Sequence, residues 1–178
     1  MIQLRWLIPM LLMAATSAVQ ACDVESFDPE DQLVLQHQEQ ILRFQQGKAN
    51  AVLLEEGREQ GKPEWELSVE RSVGLHPEPG VAVRLVLVHI SHVRGSGASH
   101  ILAGLRCVGG MAKEVFRLEQ PIKRLEVLSE ELFEVASPKW QVSDAMAPPS
   151  QEQLEHYAWW KPAQAFRRVQ AVRTPIRE

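Results

Sequence analysis

The chain has two cysteines, Cys22 and Cys107, a single tyrosine, and aromatic residues at only 6% of its length. Two cysteines allow one internal disulfide and exclude a framework of several. The apolar run Trp6 to Ala15 is ten residues long and contains Pro9, well short of the ~20 apolar residues of a transmembrane helix. Excess positive charge is absent: 19 Lys+Arg, one of them Arg5, face 23 Asp+Glu, for a net charge of -4, which argues against nucleic acid as a partner. There is no internal repeat and no low-complexity segment. The apolar content of 45% is ordinary and argues against intrinsic disorder outside the ends. No complete catalytic constellation is present either. Gly95-Ser96-Gly97 is not the Gly-x-Ser-x-Gly of a nucleophile elbow, and Gly109-Gly110 lacks the pattern of a phosphate loop. The chain is therefore read as non-enzymatic, with no cofactor.

What is there begins with a leader. Met1 to Arg5 carry one basic side chain and no acid, an uncharged apolar stretch follows, and small residues end at Val19-Gln20-Ala21. This is the layout of a secretory signal, so residues 1–21 are set apart from the fold. The cut after Ala21 exposes Cys22, and two fates remain open for it. A bacterial lipobox would lipidate Cys22, at about 0.8 kcal/mol per buried CH2, with Asp23 resembling an inner-membrane retention residue. Alternatively, a disulfide to Cys107 would close a large loop worth about 4–5 kcal/mol. Either way the expected location is the periplasm or a periplasm-facing membrane.

About 157 residues remain after the cut, enough for one domain with one core. Residues 22–63 read as an N-terminal helix and a linker. Asp28-Pro29-Glu30-Asp31 suits a helix start, and Leu33, Val34, Leu35, Ile41, Leu42 and Phe44 fall on one helical face at 29–46. Residues 64–166 read as an antiparallel sheet core with a C-terminal helix. Trp65, Leu67 and Val69 alternate as a half-buried strand. Residues 81–93 are apolar on both faces and belong at the centre of a sheet. Hairpin turns at 76–80, 95–97 and 109–110 link them to strands at 99–108 and 112–118. Residues 121–136 suit helix or strand. Ser150 and Gln153 suit a capping box, and Leu154, Tyr157 and Ala158 stripe the final helix. Residues 167–178 form a basic tail expected to be flexible. The expectation is an α+β fold, a single antiparallel meander of four or more strands flanked by an N-terminal and a C-terminal helix.

Gly80, Val81 and Arg84, then Ser96-Gly97-Ala98, then Gly104-Leu105-Arg106-Cys107, occur in order through residues 80–107. Ser137-Pro138-Lys139-Trp140 follows with a Pro-x-Trp element. This set resembles the cryptic neisserial protein family of bacterial envelope proteins over the middle third of the chain. Leu85 stands where that family has an aromatic residue, and Leu102-Ala103 where it has Tyr-Glu. The resemblance implies export, often with lipoprotein-like signals, and no assigned activity.

Three groups of residues invite a functional reading. His89, His92 and His100 are candidate metal ligands. His89 and His92 lie three apart and point to opposite faces of a strand, while His92 and His100 can meet across a hairpin centred on Ser96. Glu126, Glu130, Glu131 and Glu134 form a carboxylate cluster that reads more simply as a solvated face. Tyr157, Trp159 and Trp160 offer an aromatic contact surface for another envelope protein or a membrane surface. Cys107, next to Arg106, is better read as a disulfide or buried thiol than as a nucleophile, because strand neighbours face opposite ways. The function expected is an exported binding or accessory module, the alternative being a periplasmic metal- or small-ligand-binding protein that uses the sheet histidines.

Overall fold

The computed structural model describes residues 22–26, 28, 33–37, 40–45, 48–55, 58–59, 65–93, 98–140 and 148–175. The leader and the turn expected at 95–97 lie outside the described residues. Twelve strands form β1 (Val34–His37), β2 (Gln40–Gln45), β3 (Lys48–Glu55), β4 (Arg58–Glu59), β5 (Trp65–Glu78), β6 (Val81–His92), β7 (Ala98–Val108), β8 (Met111–Glu119), β9 (Arg124–Ser129), β10 (Leu132–Lys139), β11 (Gln151–Trp160) and β12 (Ala165–Pro175). The first sheet runs in the order β1-β2-β3-β5-β6-β7-β8, with β4 on β3, and the second runs β12-β11-β10-β9. All the pairings are antiparallel.

Strand β6 explains the two-layered plan, because successive side chains alternate faces and both of its faces are apolar. Val83, Leu85 and Leu87 point to one side, where they meet Phe116, Leu125, Phe133, Val135, Tyr157 and Phe166, so that the second sheet covers this face. Val86, Val88 and Ile90 point to the other, where they meet Leu33, Leu35, Leu42, Leu67 and Ile101. The first sheet supplies this second cover itself, by curling until its two ends meet. Arg117 and Glu119 stand on β8 opposite Ala103 and Ile101. From there Arg117 donates to the Gln36 carbonyl and Glu119 pairs with the His37 ring on β1.

The expected α+β class is overturned: the described residues are almost entirely strand, and the only helical turn is a 3-10 turn at Lys161–Ala163. At the expected N-terminal helix, Leu33, Leu35 and His37 are buried while Val34 and Gln36 are exposed. That is a period of two. The run Leu33-Val34-Leu35 mimics a helical face because the intervening exposed residue is itself a valine, 52% exposed. The stretch expected as a linker contributes β3 and β4. The expected C-terminal helix is β11, in which Glu155 and Tyr157 alternate inward. Pro162 falls in the connecting turn, where Gln164 takes a left-handed conformation at φ 50°. Residues 167–175 of the expected tail belong to the outer strand β12, which starts at Ala165. Residues 121–136, left open from sequence, contain β9 and the start of β10. The expected central position of residues 81–93 and the glycine turn at 109–110 match the structure, with Gly109 and Gly110 at φ 61° and 79°.

Close packing within the first sheet depends on Gly104, which lies between its cross-strand partners Leu85 on β6 and Phe116 on β8. A Cβ there would lie 2.9 Å from the Phe116 Cβ and 3.3 Å from Leu85 Cδ2. Gly104→Ala should therefore cost about 1–3 kcal/mol through overpacking. Gly74→Ala, with nothing within 4 Å of its added Cβ, should leave stability nearly unchanged. Urea unfolding of the two variants makes the comparison. At the seam, Glu119→Ala removes the partner of the buried His37 ring and should cost about 1–3 kcal/mol in the same assay.

Candidate functional site

The inner face of the second sheet extends beyond the apolar core. Along β10, buried Phe133 and Val135 give way to Ser137, and along β11, Tyr157 gives way to Glu155 and then Gln153. Glu155 is 2% exposed, yet its carboxylate is fully engaged. Oε1 accepts from Arg168 at 2.6 Å and from Gln153 at 3.0 Å, and Oε2 accepts from Gln120 at 3.1 Å and from the Tyr157 hydroxyl at 3.1 Å. Gln120 gives its other hydrogen to Ser137 Oγ at 2.6 Å. Burial pushes the Glu155 carboxyl up, but the hydrogen bonds from Arg168, Gln120, Gln153 and Tyr157 outweigh it and hold the pKa below the usual carboxylate value. The charge is thus kept in place, and the amides around it are fixed in orientation.

Those amides line an open groove of about 420 Å³. Trp140, Pro121 and Pro138 wall it, Gln120, Ser137 and Gln153 form its floor, and Lys139 stands beside them. Trp140 is 54% exposed. On the far side of Gln153 a second cavity of about 490 Å³ runs along β12, lined by Arg168, Gln170 and Arg173 among others. Ser137, Gln153 and Arg173 are successive cross-strand partners, and Gln153 lines both cavities, so the two adjoin across the strands.

Of the three candidate histidines, two come together and the third stands apart. His89, not His92, lies opposite His100, with ring centroids 5.1 Å apart. His100 Nδ1 accepts from the Ile122 amide at 3.1 Å, which leaves Nε2 to carry the proton, 3.4 Å from Glu70 Oε2. Burial, with the neighbouring His89, pushes the His100 pKa down against the pull of Glu70. It is a neutral ring that ties down the crossover from β8 to β9. His92 is on the opposite face, edge-on to Trp65 at 5.0 Å, and Trp65 in turn meets His37 at 4.9 Å. Among the described residues no group of three or more His, Cys, Asp or Glu is placed to hold a metal ion.

The aromatic surface expected at 157–160 is divided by strand alternation. Tyr157 is buried and stacks on Phe133 at 5.3 Å. Trp159 packs on Phe166 and donates to Glu78 Oε1 at 2.6 Å. Gln164 donates to the same oxygen and Lys161 pairs with Oε2 at 3.2 Å, latching the end of β5 to the second sheet. Only Trp160 is exposed, with the Arg167 guanidinium 3.4 Å above its ring. The exposed indole that sequence reading passed over is Trp140, whose signal was its place just past Pro138 at the end of a strand. Glu126 and Glu134 face each other across β9 and β10, and Arg124 bridges both at 2.9 Å. Glu134 also holds His156 at 2.9 Å, whereas Glu130 sits in the turn and accepts from the His76 amide. Glu126 and Glu134 share Arg124 while Glu130 is held elsewhere, so the four carboxylates do not gather into one site.

Cys22 and Cys107 are joined, with Cα atoms 5.7 Å apart. The start of the described chain is held further by Arg84, which donates to the Val24 and Glu25 carbonyls, and by burial of Val24. The chain matches no protein-family model, and neither curated proteins nor solved structures give a significant match. No helix among the described residues is long and apolar enough to cross a membrane.

The lowered pKa of Glu155 sets a pH dependence. Its contribution to stability is present above the ordinary carboxylate value of 4.5 and is lost as pH falls through the lower folded value. Glu155→Gln should therefore destabilise by about 1–3 kcal/mol at pH 7. The gap from the parent should narrow below pH 4.5, and denaturant melts at a series of pH values measure it.

Proposed function

We propose that this chain is an exported protein of the bacterial envelope, periplasmic or facing the periplasm, that works as a non-catalytic binding or accessory module. The observation that carries the reading is the pairing of Cys22 with Cys107. A cysteine that directly follows the small-residue end of a secretory leader is bonded to the sheet, and such bonds persist in oxidising compartments. The pairing favours the disulfide over the lipid anchor, since a sulfur committed to Cys107 is not free for a thioether. The binding role is supported by a cleft whose polar floor is oriented by a buried carboxylate, Glu155, paired with the exposed Arg168. The candidate histidines are engaged in packing and hydrogen bonds, so the metal-binding alternative gains nothing.

Cell fractionation with intact-mass measurement tests the reading. The expected product begins at Cys22, resides in the envelope, and is two hydrogen masses lighter before reduction than after. A cytosolic polypeptide that still begins at Met1 would overturn it. Cys107→Ser should cost about 4–5 kcal/mol, from the entropy of the loop that the bond closes over a separation of 85 residues. Thermal unfolding with and without reductant gives the comparison: reductant should lower the melting temperature of the parent and leave that of the variant unchanged.

A further inference from the structure

We propose that the cleft running from Trp140 across Gln153 to Arg173 binds an acidic oligosaccharide, a chain of sugar rings that carry carboxylates. The inference rests on reading the chain as a binding module, but not on its export.

Three observations specify the ligand. First, the groove offers a flat, exposed indole against two prolines, and an indole face packs on the apolar face of a sugar ring. Second, the floor is made of side-chain amides and a hydroxyl, which can both donate and accept. Gln153 uses one amide hydrogen on Glu155 and Gln120 uses both of its own within the network. Among the described residues the side-chain carbonyl oxygens of both amides accept no hydrogen bond, so they can meet hydroxyl groups. Third, the charge at the cleft is positive. Lys139 lines the groove and Arg173 its continuation, while Arg168 is committed to the one acid beneath, Glu155. Arg173 is exposed and placed to meet a carboxylate in a charge-assisted pair.

Direction separates a glycan from a peptide. A peptide that adds to a sheet edge runs parallel to β12 and bonds main chain to main chain. The row Ser137, Gln153, Arg173 runs instead across three strands. At the usual spacing between strands this is about 10 Å, the reach of a short oligosaccharide lying across side chains.

Calorimetric titration of the purified protein with oligogalacturonate, neutral malto-oligosaccharide and poly-glutamate makes the test. The uronate should bind at least about tenfold more tightly than either of the others. Trp140→Ala and Arg173→Gln should each weaken it by about tenfold, the loss of one stacking or charge-assisted contact. Arg173→Gln should also flatten the salt dependence. Trp160→Ala, an exposed indole away from the cleft, should leave it unchanged. All three positions are on the surface, so unaltered melting temperatures certify folding. Preference for poly-glutamate would overturn the glycan and leave the binding module standing. Equal binding of the neutral sugar would overturn the role of charge, and no binding to any probe would overturn both readings. Location in the cell affects none of these outcomes.

Discussion

Strand β6 has no face to give to water, and a strand buried on both sides needs two covers. At about 25 cal/mol per Å² of apolar surface, leaving either face bare would forfeit much of the stability of a domain this size. The second sheet covers Val83, Leu85 and Leu87, with Phe116, Phe133, Tyr157 and Phe166 meeting edge to face or stacked. The other face is covered by the chain's own beginning, Leu33, Leu35 and Leu42, brought round by the curl of the first sheet. Three polar devices hold these covers in place. The seam of Arg117, Glu119 and His37 joins β1 to β8, the latch on Glu78 joins β5 to the second sheet, and the disulfide with Arg84 pins residues 22–25.

The proposed functional cleft follows from the same plan. The second sheet is longer than the face it has to cover, so its inner surface continues past the core as Ser137, Glu155 and Gln153. A carboxylate buried there is tolerable only when its lone pairs are filled. Filling them requires Arg168, two glutamine amides and a tyrosine hydroxyl at fixed positions. Preorganised polar groups next to an exposed tryptophan are therefore a by-product of satisfying one buried charge, and recognition needs the same preorganisation.

Strands β5 to β8 of the first sheet were legible in the sequence, whereas β1 to β4, read as a helix and a linker, and β11 and β12 were not. The double-sided apolar run of β6 and the glycine turn at 109–110 admit one reading, because no helix has a glycine pair at positive φ at its midpoint and few carry so many β-branched residues. Residues 33–37 and 151–160 misled because exposed apolar residues, Val34 and Trp160, broke the alternation that marks a strand. The inward polar residues His37 and Glu155 broke it from the other side. Each of these two polar exceptions depends on a partner more distant in sequence, Glu119 for His37 and Arg168 with Gln120 for Glu155. The cleft was invisible for the same reason. It joins Pro121, Trp140, Gln153 and Arg173, which no local pattern links. The cysteine pair was legible as one of two alternatives, since counting allowed it and only three-dimensional proximity selects it.

Native-state hydrogen exchange on the oxidised protein is the most direct measurement of the two-cover account. The slowest amides should be those of β6 and β7 between Val83 and Ile90 and between Ile101 and Leu105, exchanging only through global unfolding. Amides of the outer strands β9 and β12 should open at lower free energy. Exchange of the β6 amides as fast as those of β9 or β12 would contradict a strand buried on both faces.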